Sequence, residues 1–116
     1  MRPFKAKKKK GPEAIIQEAI IGFLRAREWF VKETHGNMYQ MGFPDLYAAH
    51  YRYGARWIEV KNPDSYKFTT AQLEDFPKFT AAKVGIWILV AATESEYEKL
   101  FKAANWHHYL PEWKKI

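Results

Sequence analysis

The chain has 116 residues, 19 basic and 13 acidic side chains, 17% aromatics and no cysteine. That length fits one domain large enough to bury a core. The 47% hydrophobic content argues against wholesale disorder, and the missing cysteines exclude disulfide staples, thiolate metal sites and cysteine nucleophiles.

The positive charge is unevenly placed. Residues 1–12 hold Arg2, Lys5, Lys7, Lys8, Lys9 and Lys10 and no acid, so residues 13–116 carry 13 bases against 13 acids. We therefore divide the chain into a flexible basic tail, 1–12, and a single domain, 13–116. The run Lys7 to Lys10 has the charge to neutralise phosphates of a nucleic acid. A solubilising terminus, an acidic membrane surface or a localisation signal would use the same residues. The longest apolar run, Val84 to Ala92, is nine residues including a glycine, against the ~18 of a membrane span. The first residues lack the apolar stretch of a signal peptide. A cytoplasmic protein without membrane association is expected.

Pro12 suits the first turn of a helix. From there Ile15, Ile16, Ala19, Ile20, Phe23, Phe30 and Val31 share one face at 100° per residue, with Glu18 beside it, and the helix is expected to end before Gly36. Trp29 to Glu33 reads equally as helix end or strand. Leu46 to Tyr53 and Arg56 to Lys61 read as two strands of a hairpin around Gly54. Thr69-x-x-Gln72 is a capping box that opens a second helix, which Pro77 is expected to break. Val84 to Val90 reads as a buried strand. Thr93-x-x-Glu96 opens a last helix with a buried stripe of Tyr97, Leu100, Phe101 and Ala104. Trp106 to Trp113 is left between edge strand and packed coil. The order implies an α/β domain with a small mixed sheet.

Charges stand inside the strand-like sequence. Glu59 and Lys61 are two apart and project from one face. A hairpin pairing Tyr51 with Ala55 would set Asp45 opposite Lys61, diagonal to Glu59 and on the same face, whereas a two-residue loop would put Asp45 and Glu59 on opposite faces. Charges in a central strand are costly unless paired or bound to metal. Two carboxylates beside a lysine suit Mg²⁺ or Mn²⁺, hard ions that keep waters and share substrate phosphates. The chemistry this set supports is phosphodiester hydrolysis. His35, His107 and His108 have no chelating spacing, and neither a Gly-rich nucleotide loop nor a Gly-x-Ser-x-Gly is present. No nucleotide cofactor is expected.

Asp45 followed at this distance by Glu59-Val60-Lys61 resembles the PD-(D/E)XK nuclease superfamily. Gly42-Phe43-Pro44-Asp45-Leu46, Glu-x-Lys and the Thr69 helix start with Gln72 resemble its VRR-NUC branch, over about residues 13–92. The resemblance implies a restriction-endonuclease-like core: a small mixed central sheet flanked by helices in α-β-β-β-α-β-α order. It implies a Mg²⁺- or Mn²⁺-dependent DNA endonuclease acting on branched DNA such as flaps or four-way junctions. Asp45 and Glu59 would be metal ligands with the Val60 carbonyl, and Lys61 would position the attacking water. Glu18 would bind metal through water, and Gln72 would support the site. Branched DNA also suggests a homodimer, with Trp106 to Trp113 and the first helix as candidate interfaces. A non-catalytic nucleic-acid-binding module and an exonuclease using the same residues are the alternatives. Gln72 is equally explained as a cap alone, and Glu18 as a helix-surface acid.

Overall fold

The computed structural model describes residues 11–34 and 42–110. The expectations for Lys7 to Lys10, His35 and residues 111–113 lie outside them. The order is α1 (Pro12–Arg25), β1 (Phe30–Glu33), β2 (Leu46–His50), β3 (Gly54–Val60), α2 (Thr70–Ala81), β4 (Ile86–Leu89) and α3 (Glu94–Glu98). Two short 3-10 turns follow, Lys99–Phe101 and Trp106–Tyr109. The strands form one mixed sheet in the order β1-β2-β3-β4, antiparallel except for the β3–β4 pair. This is the expected α/β architecture. Among the described residues no helix is long and apolar enough to cross a membrane.

Strand alternation divides the core into two layers. Val31, Leu46, Ala48, Ile58, Val60 and Leu89 pack against Ile20, Ile21 and Leu24 of α1. The opposite face sets Ile86 and Ile88 against Phe76 of α2 and Trp106, with Trp57 and Phe79 at the margin.

α1 stops at Arg25, well before Gly36. The chain reverses through Glu28, at φ 71°, and Trp29 to Glu33 resolves as strand. Val31 is buried from that strand and Phe30 is exposed, so neither belongs to the helical stripe. β-Branched and aromatic residues favour the extended form once a partner strand is available. Pro77 does not break α2, which runs on to Ala81. The ring removes one backbone hydrogen bond, and the turn is held by buried Phe76 and half-buried Phe79. The last helix is shorter than its apolar pattern suggests: Leu100 is buried, but Phe101 is exposed. Trp106–Tyr109 is a 3-10 turn rather than an edge strand, and it seats Trp106 against Phe76 at 5.6 Å between ring centroids.

The hairpin register differs by two residues from the expected one. His50 pairs with Gly54 and Leu46 with Ile58, leaving Tyr51, Arg52 and Tyr53 as the loop. Gly54 takes φ 87°, which a side chain would resist. A two-residue shift preserves the face of every side chain, but it brings Asp45 level with Glu59 instead of Lys61.

Candidate active site

Asp45 immediately precedes β2 and Lys61 immediately follows β3, so the site sits where these strands part. Beyond the Leu46–Ile58 pair, side chains replace the backbone ladder. The Asp45 amide donates to Glu59 Oε1 at 3.1 Å, and the Val60 amide donates to Asp45 Oδ2 at 2.9 Å. Each carboxylate thus ties down the other strand's backbone, satisfying buried donors that would otherwise be orphaned. Upstream, the Thr34 hydroxyl donates to the Pro44 carbonyl at 2.7 Å. Gly42 has φ 89°, and a Cβ there would lie 2.2 Å from an Asp75 oxygen of α2. The Gly-x-Pro-Asp segment therefore carries a glycine because the backbone needs both that conformation and the close approach.

Glu59 and Lys61 are 2% and 3% exposed. Lys61 Nζ lies 3.1 Å from Glu59 Oε2, donates to the Lys67 carbonyl at 2.6 Å and to Gln72 Oε1 at 3.1 Å. Its three donors are thereby accounted for, and it also stands 4.6 Å over the Phe68 ring. Gln72 joins helix to site. Its Nε2 donates to Glu59 Oε2 at 2.7 Å, while Oε1 accepts from the Thr69 amide at 3.1 Å to close the capping box. Gln72 thus caps α2 and bonds Glu59 and Lys61 through one side chain.

Two carboxyls side by side, Glu59 buried and Asp45 half-buried, strain the local charge balance. Burial pushes Glu59 up to about 8, the Asp45 charge reinforces this, and Lys61 and Gln72 oppose it. Burial also raises Asp45, against the pull of the Val60 amide; the Glu13 charge raises it further, while Lys61 and a hydrogen bond with Glu59 lower it. One lysine does not balance two carboxylates, so the pair resists carrying two full negative charges.

The structure brings Asp45, Glu59, Lys61 and Gln72 together. Glu18 and Glu13 are both exposed on α1, and the charge of Glu13 is among the influences that raise Asp45. By helical spacing Glu13, Gln17 and Ile20 fall on one side of α1. Ile20 is buried there, and Gln17 reaches Glu33 of β1 at 3.2 Å.

Among the described residues there is no group of three or more His, Asp or Glu side chains placed to hold a metal. The donor set nevertheless fits a divalent cation. Two oxygen donors with an excess of negative charge suit Mg²⁺ or Mn²⁺, which complete their shells with water and substrate. Such an ion would relieve the repulsion between the two carboxylates and would compete with protons for them.

A four-stranded mixed sheet flanked by helices, with acids and lysine at adjoining strand ends, defines the restriction-endonuclease-like class of fold. More narrowly, the chain has the fold of a VRR-NUC domain. A solved structure described as "VRR_NUC domain" superposes with a TM-score of 0.64 at 17% identity, covering 79% of this chain and 97% of that one. No protein-family model matches the sequence, and no curated protein does.

Proposed function

We propose that the protein is a Mg²⁺- or Mn²⁺-dependent nuclease that hydrolyses DNA phosphodiesters endonucleolytically, with branched DNA as substrate. The observation that carries this reading is the buried Glu59–Lys61 pair beside half-buried Asp45, completed by Gln72 from α2. The likeness of the fold to the VRR_NUC domain supports it.

Asp45 and Glu59 would hold the ion, with the Val60 carbonyl as a further oxygen. Of the acids on α1, Glu13 takes the supporting role expected of Glu18, because its charge reaches Asp45. When bound, the ion supplies Lewis acidity and a water of lowered pKa. Lys61 is anchored by Gln72 and the Lys67 carbonyl. Its third donor lies on Glu59 Oε2, and with an ion held by Glu59 that donor would be available to a water or a phosphoryl oxygen. That places a fixed positive charge where negative charge develops. Lys7 to Lys10 add sequence-independent affinity for the backbone. A homodimer would set two sites on opposed strands of a junction, with α1 and residues 106–113 as the surfaces to test.

The test is cleavage of labelled four-way junction, flap, linear duplex and single-stranded DNA with Mg²⁺, Mn²⁺ or EDTA, beside Glu59→Ala and Lys61→Ala. Internal cutting that needs metal is expected, falling at least 10²–10³-fold in either variant while Lys61→Ala still binds DNA. Tight binding with no cutting in either metal would overturn the enzyme reading in favour of a shape-reading module. Digestion from ends alone would make the enzyme an exonuclease.

A further inference from the structure

Among the described residues, the sheet face that carries Asp45 and Glu59 is only partly covered. α2 packs over the β4 side, against Ile86 and Ile88. On the β1 and β2 side the same face presents Phe30 and Lys32, both exposed, beside half-buried Tyr47. Lys32, Tyr47 and Trp57 are successive partners across β1, β2 and β3, so they form one row next to the catalytic one.

Phe43 stands at the edge of this row. Its ring stacks on Trp57 with centroids 5.9 Å apart and planes at 21°, and Phe79 meets it edge-on at 5.9 Å. Tyr47 packs edge-on against Trp57 at 5.1 Å. Trp57 and Phe79 thus fix Phe43 from one side, yet it remains 43% exposed. Its backbone is held as well, by the tight seating of Gly42 on α2 and the Thr34 bond to Pro44. Phe43 is two residues from Asp45, at most ~7 Å along an extended chain. Exposed Lys78 lies nearby, 3.6 Å from the Asp75 carboxylate that abuts Gly42. A half-exposed aromatic ring held beside the proposed cleavage site, with Lys32 at the far end of its row and Lys78 on α2, matches a stacked base and charges for the phosphates along its strand.

We infer that Phe43, backed by Trp57, is a stacking platform for one unpaired nucleobase next to the scissile phosphate. This rests on the nuclease reading and narrows it: DNA with a single-stranded arm at the cut, such as a flap, is preferred to a fully paired four-way junction. Lys32 and Lys78 contact the flanking phosphates. Phe43 is a specificity residue and takes no part in the hydrolysis.

The experiment uses the full chain and single-stranded oligonucleotides with 2-aminopurine at successive positions, in EDTA, followed by flap and junction cleavage in Mg²⁺. Quenching at one position is expected, lost in Phe43→Leu and kept in Phe43→Tyr. The flap-over-junction preference should fall on the order of ten-fold in Phe43→Leu, the flap rate falling much more than the junction rate. Full quenching in Phe43→Leu, or equal loss of flap and junction cleavage, would overturn the platform while leaving the nuclease intact. Quenching by a protein that cuts no DNA would support stacking and sink the nuclease reading instead. Should Phe43→Leu fail to fold, an abasic scan on the wild type decides. One position that weakens binding about ten-fold supports the platform, and a flat scan overturns it.

Discussion

Within β3, Ile58 and Val60 face α1 and are wholly buried among aliphatic side chains, while Trp57 and Glu59 alternate with them toward α2. The first layer is closed on apolar residues from α1, β1, β2 and β4. The second includes a buried acid, a buried lysine just beyond the strand and a buried amide, all hydrogen-bonded to one another. A two-residue period lets one strand serve both purposes without either intruding on the other. The apolar layer supplies stability that offsets the cost of placing ionisable groups out of water, a cost that is large unless those groups are paired.

The sharpest way to break this contrast is Ile58→Ala. It should cost about 2–5 kcal/mol by cavity formation, lowering the melting temperature by roughly 4–8 °C per kcal/mol in a domain of this size. The cleavage rate per folded molecule should stay the same. An equal loss of intrinsic rate would mean the layers are not separable.

Glu59→Gln tests the other layer. In the metal-free protein Glu59 keeps its proton up to about pH 8, whereas an unfolded glutamic acid releases it near 4.5. Folding then takes up protons between these values, so stability falls as pH rises through that window. Glu59→Gln should flatten the decline and melt above the wild type at pH 8. Mg²⁺ or Mn²⁺ should stabilise the wild type more at pH 8 than at pH 6, because it competes with protons, and should not stabilise the variant comparably. Thermal melts across pH with and without metal check both statements.

A smaller effect separates cap from site. Thr69→Ala removes the hydroxyl that caps α2, costing about 1 kcal/mol, and should leave cleavage nearly unchanged. Gln72→Ala loses its half of the cap together with the bonds to Glu59 and Lys61, so it should be at least as destabilised and also cleave more slowly. Equal activity in the two variants would reduce Gln72 to a cap.

Much of the fold was legible because its signals are local. The capping box at Thr69, the apolar strand around Ile88 and the positions of α1 and the hairpin follow from propensity and periodicity. The convergence of Asp45, Glu59 and Lys61 was legible too, since strand parity survives a register shift of two. The exact pairing was not, because it depends on how Gly54 shapes the turn. β1 was ambiguous because a four-residue strand becomes extended only through its partner. Pro77 misled because tertiary packing on Phe76 and Phe79 outweighs one missing hydrogen bond. The choice between Glu13 and Glu18 required knowing which side of α1 meets the sheet near Asp45, and the apolar stripe alone is too broad to decide it.

Gln72 also limits which sequences can occupy this fold. At the third position of a capped helix, glutamate and glutamine are ordinarily interchangeable, since either accepts the cap residue's amide. A designer working on α2 alone would exchange them freely. Here the same side chain must also give a proton to Glu59, which an ionised glutamate cannot do, and a third carboxylate would be set against two that already repel. The amide, donor at one end and acceptor at the other, lets a helix begin and a charged site settle through one residue, so a mutation that is silent for the helix would not be silent for the chemistry.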